Sequence, residues 1–170
     1  MSLRILSGRL AERVAVVGLG RYGRDVSKLP TGNYKIDDYR EFARKARKEL
    51  RRDPRQAVEK SYLAAVHAAR QILACAGEPW KGGKRQSSAA IGRAFEYLGK
   101  RSGLDYSEYG SITRTLYRAL AGHTNCFYDG FCEPGEVAET VEAVERAARK
   151  LPRLCQKIMA GRNGRNGREP

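Results

Sequence analysis

Asp53-Pro54-Arg-Gln-Ala-Val-Glu59-Lys60-Ser-Tyr62-Leu-Ala-Ala-Val66-His67-Ala-Ala69-Arg-Gln-Ile-Leu73-Ala-Cys75-Ala-Gly77-Glu-Pro79 is the stretch that decides the fold. Asp followed by Pro is a helix start. The carboxylate can accept from first-turn N–H groups, and proline at the first helical position lacks only a hydrogen that the helix does not use. Tyr62, Val66, Ala69 and Leu73 then recur at four, three and four residues, the period of one helix face and not of a strand. Gly77-Glu-Pro79 supplies the stop. The reading is a helix over about 54–76, the most apolar in the chain.

The same period continues on both sides. Upstream, Asp37 or Asp38 can cap a helix to about Arg52, with Tyr39, Ala43, Ala46 and Leu50 inward. Downstream, the basic loop Trp80-Lys81-Gly-Gly-Lys84-Arg85-Gln-Ser-Ser88 leads into a third helix of about 87–101, with Ile91, Phe95 and Leu98 inward. Ser107 or Ser111 is the expected cap of a fourth helix, which carries Ile112, Leu116, Tyr117 and Leu120 and is expected to end at Gly122. Pro134 opens a fifth helix through about Ala160, with Val137, Val141, Val144, Ala148 and Leu151 inward and a kink at Pro152. Tyr62 and Tyr117 both fall in apolar stripes and are read as core. No strand pattern of any length occurs over 36–160. The expected fold class is all-α, an up-and-down bundle of about five helices.

The ends read differently. Residues 161–170 repeat Gly, Arg and Asn and offer nothing to bury, so a disordered basic tail is expected. Residues 1–35 form an N-terminal arm in which Gly18, Gly20 and Gly23 fall at G-x-G-x-x-G spacing after a short apolar run. The dinucleotide motif needs a helix directly after the third glycine and a second strand ending in an acidic residue about 20 positions on. Here Pro30-Thr-Gly32 interrupts within nine residues and no such strand follows. A nicotinamide or flavin site is a distant alternative, and no cofactor is expected.

Lys and Arg number 33 against 19 Asp and Glu, a net charge of +14 over 170 residues. With both ends set aside, residues 31–160 keep 24 basic against 16 acidic side chains. Such an excess attracts polyanions, of which nucleic acid is the commonest. The scarcity of Asn and Gln, four of each, leans toward a thermophile. Cys75, Cys126, Cys132 and Cys155 form no Cys-x-x-Cys pair, and neither His67 nor His123 stands at zinc-finger spacing from them, so no metal site is expected. Cys126 and Cys132 flank a glycine-containing loop and could bridge. The longest apolar runs are far shorter than the roughly 20 residues of a membrane span, and the first residues lack a secretory core. A cytoplasmic, membrane-free location is the expectation.

No nucleophile elbow, Walker loop or isolated carboxylate pair is present. The remaining site-like segment is Arg118-Ala-Leu-Ala-Gly-His123, whose two ends stand roughly 140° apart on a regular helix but can lean into one space at a fraying helix end. Arg114 lies one turn before Arg118, so the fourth helix carries a basic ridge toward the histidine. An imidazole can take a 2′-hydroxyl proton near neutral pH. A guanidinium can clamp the scissile phosphate and stabilise its developing charge. One histidine cannot serve as both base and acid, so two copies across a dimer would be needed. Trp80, Lys81, Lys84 and Arg85 form a second candidate, an aromatic ringed by cations that could hold a base and its phosphates. His67, off the centre of its helix's apolar stripe, is read as a packing or interface residue.

The helix with Glu59-Lys60-Ser-Tyr62-Leu-Ala-Ala-Val-His-Ala-Ala, followed by Arg118-x(4)-His123 at the end of the fourth, resembles the HEPN superfamily and, within it, the archaeal PaREP family. The similarity covers about residues 36–160. It implies a helical-bundle homodimer with the Arg118 and His123 motifs facing each other across a basic cleft. In active members that arrangement is a metal-independent ribonuclease, often a toxin or defence component with an antitoxin-type protein partner. Other members are inactive and bind nucleic acid or nucleotides. Ala119 stands where active members usually carry a polar residue. Asn125 stands where the toxins modified by a nucleotidyltransferase partner carry Tyr.

Overall fold

The computed structural model describes residues 38–82 and 87–166, with side chains as far as residue 161. The Gly18–Gly23 arm, Lys84, Arg85 and residues 167–170 lie outside the described residues. Five α-helices and one π-helix follow in order: α1 Asp38–Glu49, α2 Pro54–Cys75, α3 Ser87–Lys100, α4 Tyr106–Gly122, the π-helix His123–Tyr128, and α5 Pro134–Asn166. No strand occurs among the described residues, and the class is an all-α helical bundle.

α2 is the centre of the bundle, and its start follows from Asp53-Pro54. Asp53 is extended, its side chain accepts from the Gln56 N–H at 3.1 Å, and Pro54 takes the first helical position. The helix ends where Gly77 adopts φ 80°, with the Glu78 N–H returned to the Leu73 carbonyl at 2.9 Å. Buried residues lie around most of its circumference, from Ala57, Val58 and Ser61 to Ile72, Leu73 and Cys75. The stripe read from the sequence is therefore too narrow. Five of the buried residues are Ala57, Ala64, Ala65, Ala68 and Ala69, whose short side chains allow neighbouring helices to approach on several sides. Each fully buried Ile or Leu, such as Ile72 and Leu73, contributes about 2 kcal/mol.

The core has two parts. The larger joins α2 to Tyr39 and Ala43 of α1, Ile91 and Leu98 of α3, Ile112 and Leu116 of α4, and Val144, Leu151 and Ile158 of α5. The smaller gathers Ala46, Ala57, Val58, Cys126, Val137 and Val141, and it anchors the π-helix. Two disulfides accompany them. Cys126–Cys132 closes the loop after the π-helix, and Cys75–Cys155 ties the end of α2 to α5. The second pairing has no signature in the sequence.

Three expectations need correction. The fourth helix is capped by Asp105, not Ser107 or Ser111: the Asp105 N–H donates to the Glu108 carboxylate at 2.9 Å, the reaching-back half of a capping box. Tyr117 is not core but 50% exposed, because Ile112, Leu116 and Ala119 occupy the inward arc and Tyr117 lies about 100° beyond Leu116. α4 does end at Gly122 as expected, though Gly122 does not turn the chain out of the helix. Its φ and ψ are −59° and −41°, ordinary helical values, and the chain runs on into the π-helix. The left-handed glycine comes later, at Gly130 with φ 80°. α5 passes through Pro152 and extends to Asn166, beyond the expected end near Ala160.

Candidate functional site

The continuation past Gly122 fixes where His123 points. A π-helix closes i→i+5 hydrogen bonds, so residues i+4 and i+5 both return beside residue i. Phe127 and Tyr128 accordingly flank His123, with ring centroids at 5.2 and 4.9 Å. Tyr62 of α2 stacks on the opposite face, nearly parallel at 4.1 Å. Arg55, one further position along the same α2 stripe, donates to the Phe127 carbonyl at 2.9 Å and holds the π-helix against α2. The imidazole is only 7% exposed.

Glu59 completes the cage. Its Oε2 lies 2.9 Å from His123 Nδ1. The two atoms meet off the line of a well-formed hydrogen bond, and neither has another partner. We therefore read the contact as an ion-pair-range approach and not as a full hydrogen bond. Burial pushes the Tyr62 phenol up to about 12, with Tyr128 and the Glu59 charge adding to the effect. Tyr128 is raised as well, chiefly by burial and then by Glu59. Both phenols therefore stay neutral and neither can act as a base near neutral pH.

Arg118 lies elsewhere. With the backbone helical from Tyr106 through the π-helix, the five-residue interval to His123 keeps its full angular offset of about 140°. The sequence reading expected the two side chains to lean into one space at a fraying helix end, but the helix does not fray there. Arg118 turns to α5 and pairs with Glu139 at 2.6 Å, whereas His123 turns to α2. No hydrogen bond, ion pair or ring contact joins Arg118 to His123 among the described residues.

What the structure does bring together is a set of cations. A groove of about 290 Å³ between α4 and α5 is lined by Arg114, Arg118, Arg146 and Lys150. The remaining lining side chains are Ser, Thr and Ala, with no carboxylate among them. Arg114 donates to the Tyr106 hydroxyl at 3.0 Å, and Lys150 lies 3.4 Å from the Ser111 hydroxyl. Arg146 meets Glu142 at 3.5 Å. Such exposed ion pairs are worth about 0–1 kcal/mol, so an incoming anion can displace them. Only one bank of this groove, Arg114 and Arg118, stands out as a ridge in the sequence. Arg146 and Lys150 repeat the four-residue step of Arg114 and Arg118, which was the available signal. The Trp80 loop is not part of it. Trp80 packs against the larger core, Lys81 is exposed, and neither lines the groove.

Residues 35–148 match the archaeal PaREP1/PaREP8 family. The chain belongs to that family. The matched range takes in α1 to α4, the whole His123 cage and three of the four groove cations, leaving Lys150 beyond it. No curated protein and no solved structure matches the chain. No group of three or more His, Cys, Asp or Glu suited to a metal occurs among the described residues, and no described helix is long and apolar enough to cross a membrane.

The second histidine of this PaREP1/PaREP8 member behaves as a packing residue. His67 is buried on α2, stacks on Phe42 at 5.1 Å, and has Nδ1 3.8 Å from Asp38. Burial and then the Arg70 charge hold its pKa below the usual 6.5, against the opposing pull of Asp38. The unfolded chain therefore binds a proton that the folded chain resists, and stability falls as pH drops below about 6.5. Urea midpoints at pH 7.5 and 5.5 should differ less for His67→Gln than for the unaltered protein. An equal fall in both would mean that other groups carry the acid sensitivity.

Proposed function

We propose that this PaREP1/PaREP8 member is a HEPN-type helical bundle that binds single-stranded RNA through its phosphates, non-catalytically, along the α4–α5 groove. The observation that carries this reading is the convergence of Arg114, Arg118, Arg146 and Lys150 on one groove without a lining carboxylate. Four cations within reach of one another match consecutive phosphates, and counterion release would make the binding strongly salt-dependent. The net charge of +14 supports the same reading. Anisotropy of a labelled RNA strand between 50 and 200 mM salt tests it. Affinity should fall steeply, and Arg146→Ala with Lys150→Ala should weaken binding while flattening the log–log salt slope by about two. Absence of binding, or an unchanged slope in that variant, would remove the reading.

A catalytic reading has one feature in its favour, the Glu59 carboxylate against His123 Nδ1, since a carboxylate beside an imidazole is how many general bases are oriented. In that reading Arg118 serves as phosphate clamp and His123 as acid or base, making a metal-independent ribonuclease. It needs a homodimer in which a second copy brings its Arg118 to the His123 cage, because a single chain turns the two residues to different helices.

A further inference from the structure

The cationic groove has a neighbour of different chemistry. A second cleft, of about 640 Å³, shares Arg114 and Arg118 with it and then departs from it. Its lining includes two aromatic residues that the core does not explain, Tyr117 at 50% and Phe131 at 77% exposure. Phe131 is presented by its loop. Gly130 turns with φ 80°, the Phe131 N–H donates to the Asn125 carbonyl at 3.0 Å, and the next residue, Cys132, is bonded to Cys126. Holding a phenylalanine at a cleft without burying it gains nothing for folding. Glu133 and Glu136 also line this cleft, and neither has an ion-pair partner among the described residues.

Aromatic faces, free acceptors and adjoining cations are the three parts of a base-reading pocket on a single strand. The volume lies within the range of small-molecule sites. Unpaired carboxylates favour a base that presents N–H donors on its Watson–Crick edge. Guanine offers two adjacent ones, N1–H and N2–H, whereas uracil offers one between two carbonyls that a carboxylate repels.

We infer that the larger cleft reads one base of a bound RNA strand, guanine by its chemistry. The base stacks on Tyr117 or Phe131, and the flanking phosphates lie on Arg114, Arg118, Arg146 and Lys150. This rests on the phosphate-binding reading for its anionic half only; the base half stands on the cleft.

Two nine-nucleotide strands test it on the full chain, one all uridine and one with a central guanosine. The guanosine strand should bind about tenfold or more tightly. Tyr117→Ala with Phe131→Ala, both at exposed positions, should erase that difference. The log–log salt slope should stay where it was, because the groove cations are untouched. Glu136→Gln should reduce the preference while retaining the stacking. Equal affinity for the two strands would overturn the inference and leave the groove reading standing. If neither strand binds, the groove reading fails and GMP against UMP tests the cleft alone. A tenfold GMP preference lost in the aromatic double variant then supports the base pocket for a free nucleotide. Equal binding of GMP and UMP overturns it.

Discussion

Replacing Cys75 and Cys155 with alanine is expected to lower the unfolding free energy by about 4 kcal/mol, from the entropy that a closed loop removes from the unfolded chain. The bond joins residues 80 positions apart, with Cα atoms at 5.5 Å, so it runs from the last residue of α2 and encloses α3, α4, the π-helix and the first two thirds of α5. Loop-closure entropy rises with the logarithm of loop length, and the Cys126–Cys132 bond, six residues apart, should contribute only about 2 kcal/mol by the same account. Thermal unfolding of the two double variants separates them. The Cys75/Cys155 variant should melt about 15 °C lower and the other by roughly half as much. Alanine is the replacement of choice because both Cys75 and Cys155 are 6% exposed, and a buried serine hydroxyl would add a penalty of its own. A melting point within about 2 °C of the unaltered protein would mean that helix packing alone fixes the ends of α2 and α5, with the bond a passenger.

That bond marks where the sequence stops being readable. Helix starts and stops depend on neighbours a few residues away, and Asp53-Pro54 and Gly77 behaved accordingly. Which of four cysteines meet depends on how α2 and α5 lie side by side, and no spacing encodes that. Gly122 shows the same limit from the other side. Glycine permits a left-handed stop but does not impose one. At Gly77 nothing downstream opposes the stop. At Gly122 the next residues have places to go, His123 between Tyr62 and Phe127 and Cys126 into the smaller core, so the helix continues and widens. A frayed end at Gly122 is what would place Arg118 and His123 in one space, and the π-helix that follows removes the fraying. The groove was half legible for a related reason. Arg114 and Arg118 are neighbours along one helix, whereas Arg146 and Lys150 become their neighbours only through the register of α4 against α5.

His123→Ala is expected to cost about 3 kcal/mol, because it opens a cavity where a 7% exposed ring stood and takes from Glu59 the one group its Oε2 approaches. Glu59 would face a cavity, since its Oε2 has no partner besides His123. The stack with Tyr62 at 4.1 Å would go too, and with it the contacts to Phe127 and Tyr128 that hold the π-helix in its turn. Glu59→Gln should cost less, about 1 kcal/mol, since a neutral amide still fills the space and carries no stranded charge. The double variant His123→Ala with Glu59→Gln should then be more stable than the sum of the two losses predicts, the signature of a direct coupling. Urea unfolding of the three variants measures this, and the RNA affinity of the folded His123→Ala protein should match that of the unaltered chain, because His123 does not line the groove. The same variant decides against catalysis or for it. Cleavage of single-stranded RNA in EDTA that His123→Ala abolishes, with a stability loss under about 1 kcal/mol, would make the imidazole a catalytic group and Glu59 its orienting carboxylate. A large stability loss with no cleavage by either protein would make it a keystone between α2 and the π-helix. The near-parallel Tyr62 ring, which seals one face of the imidazole, weighs toward the second outcome.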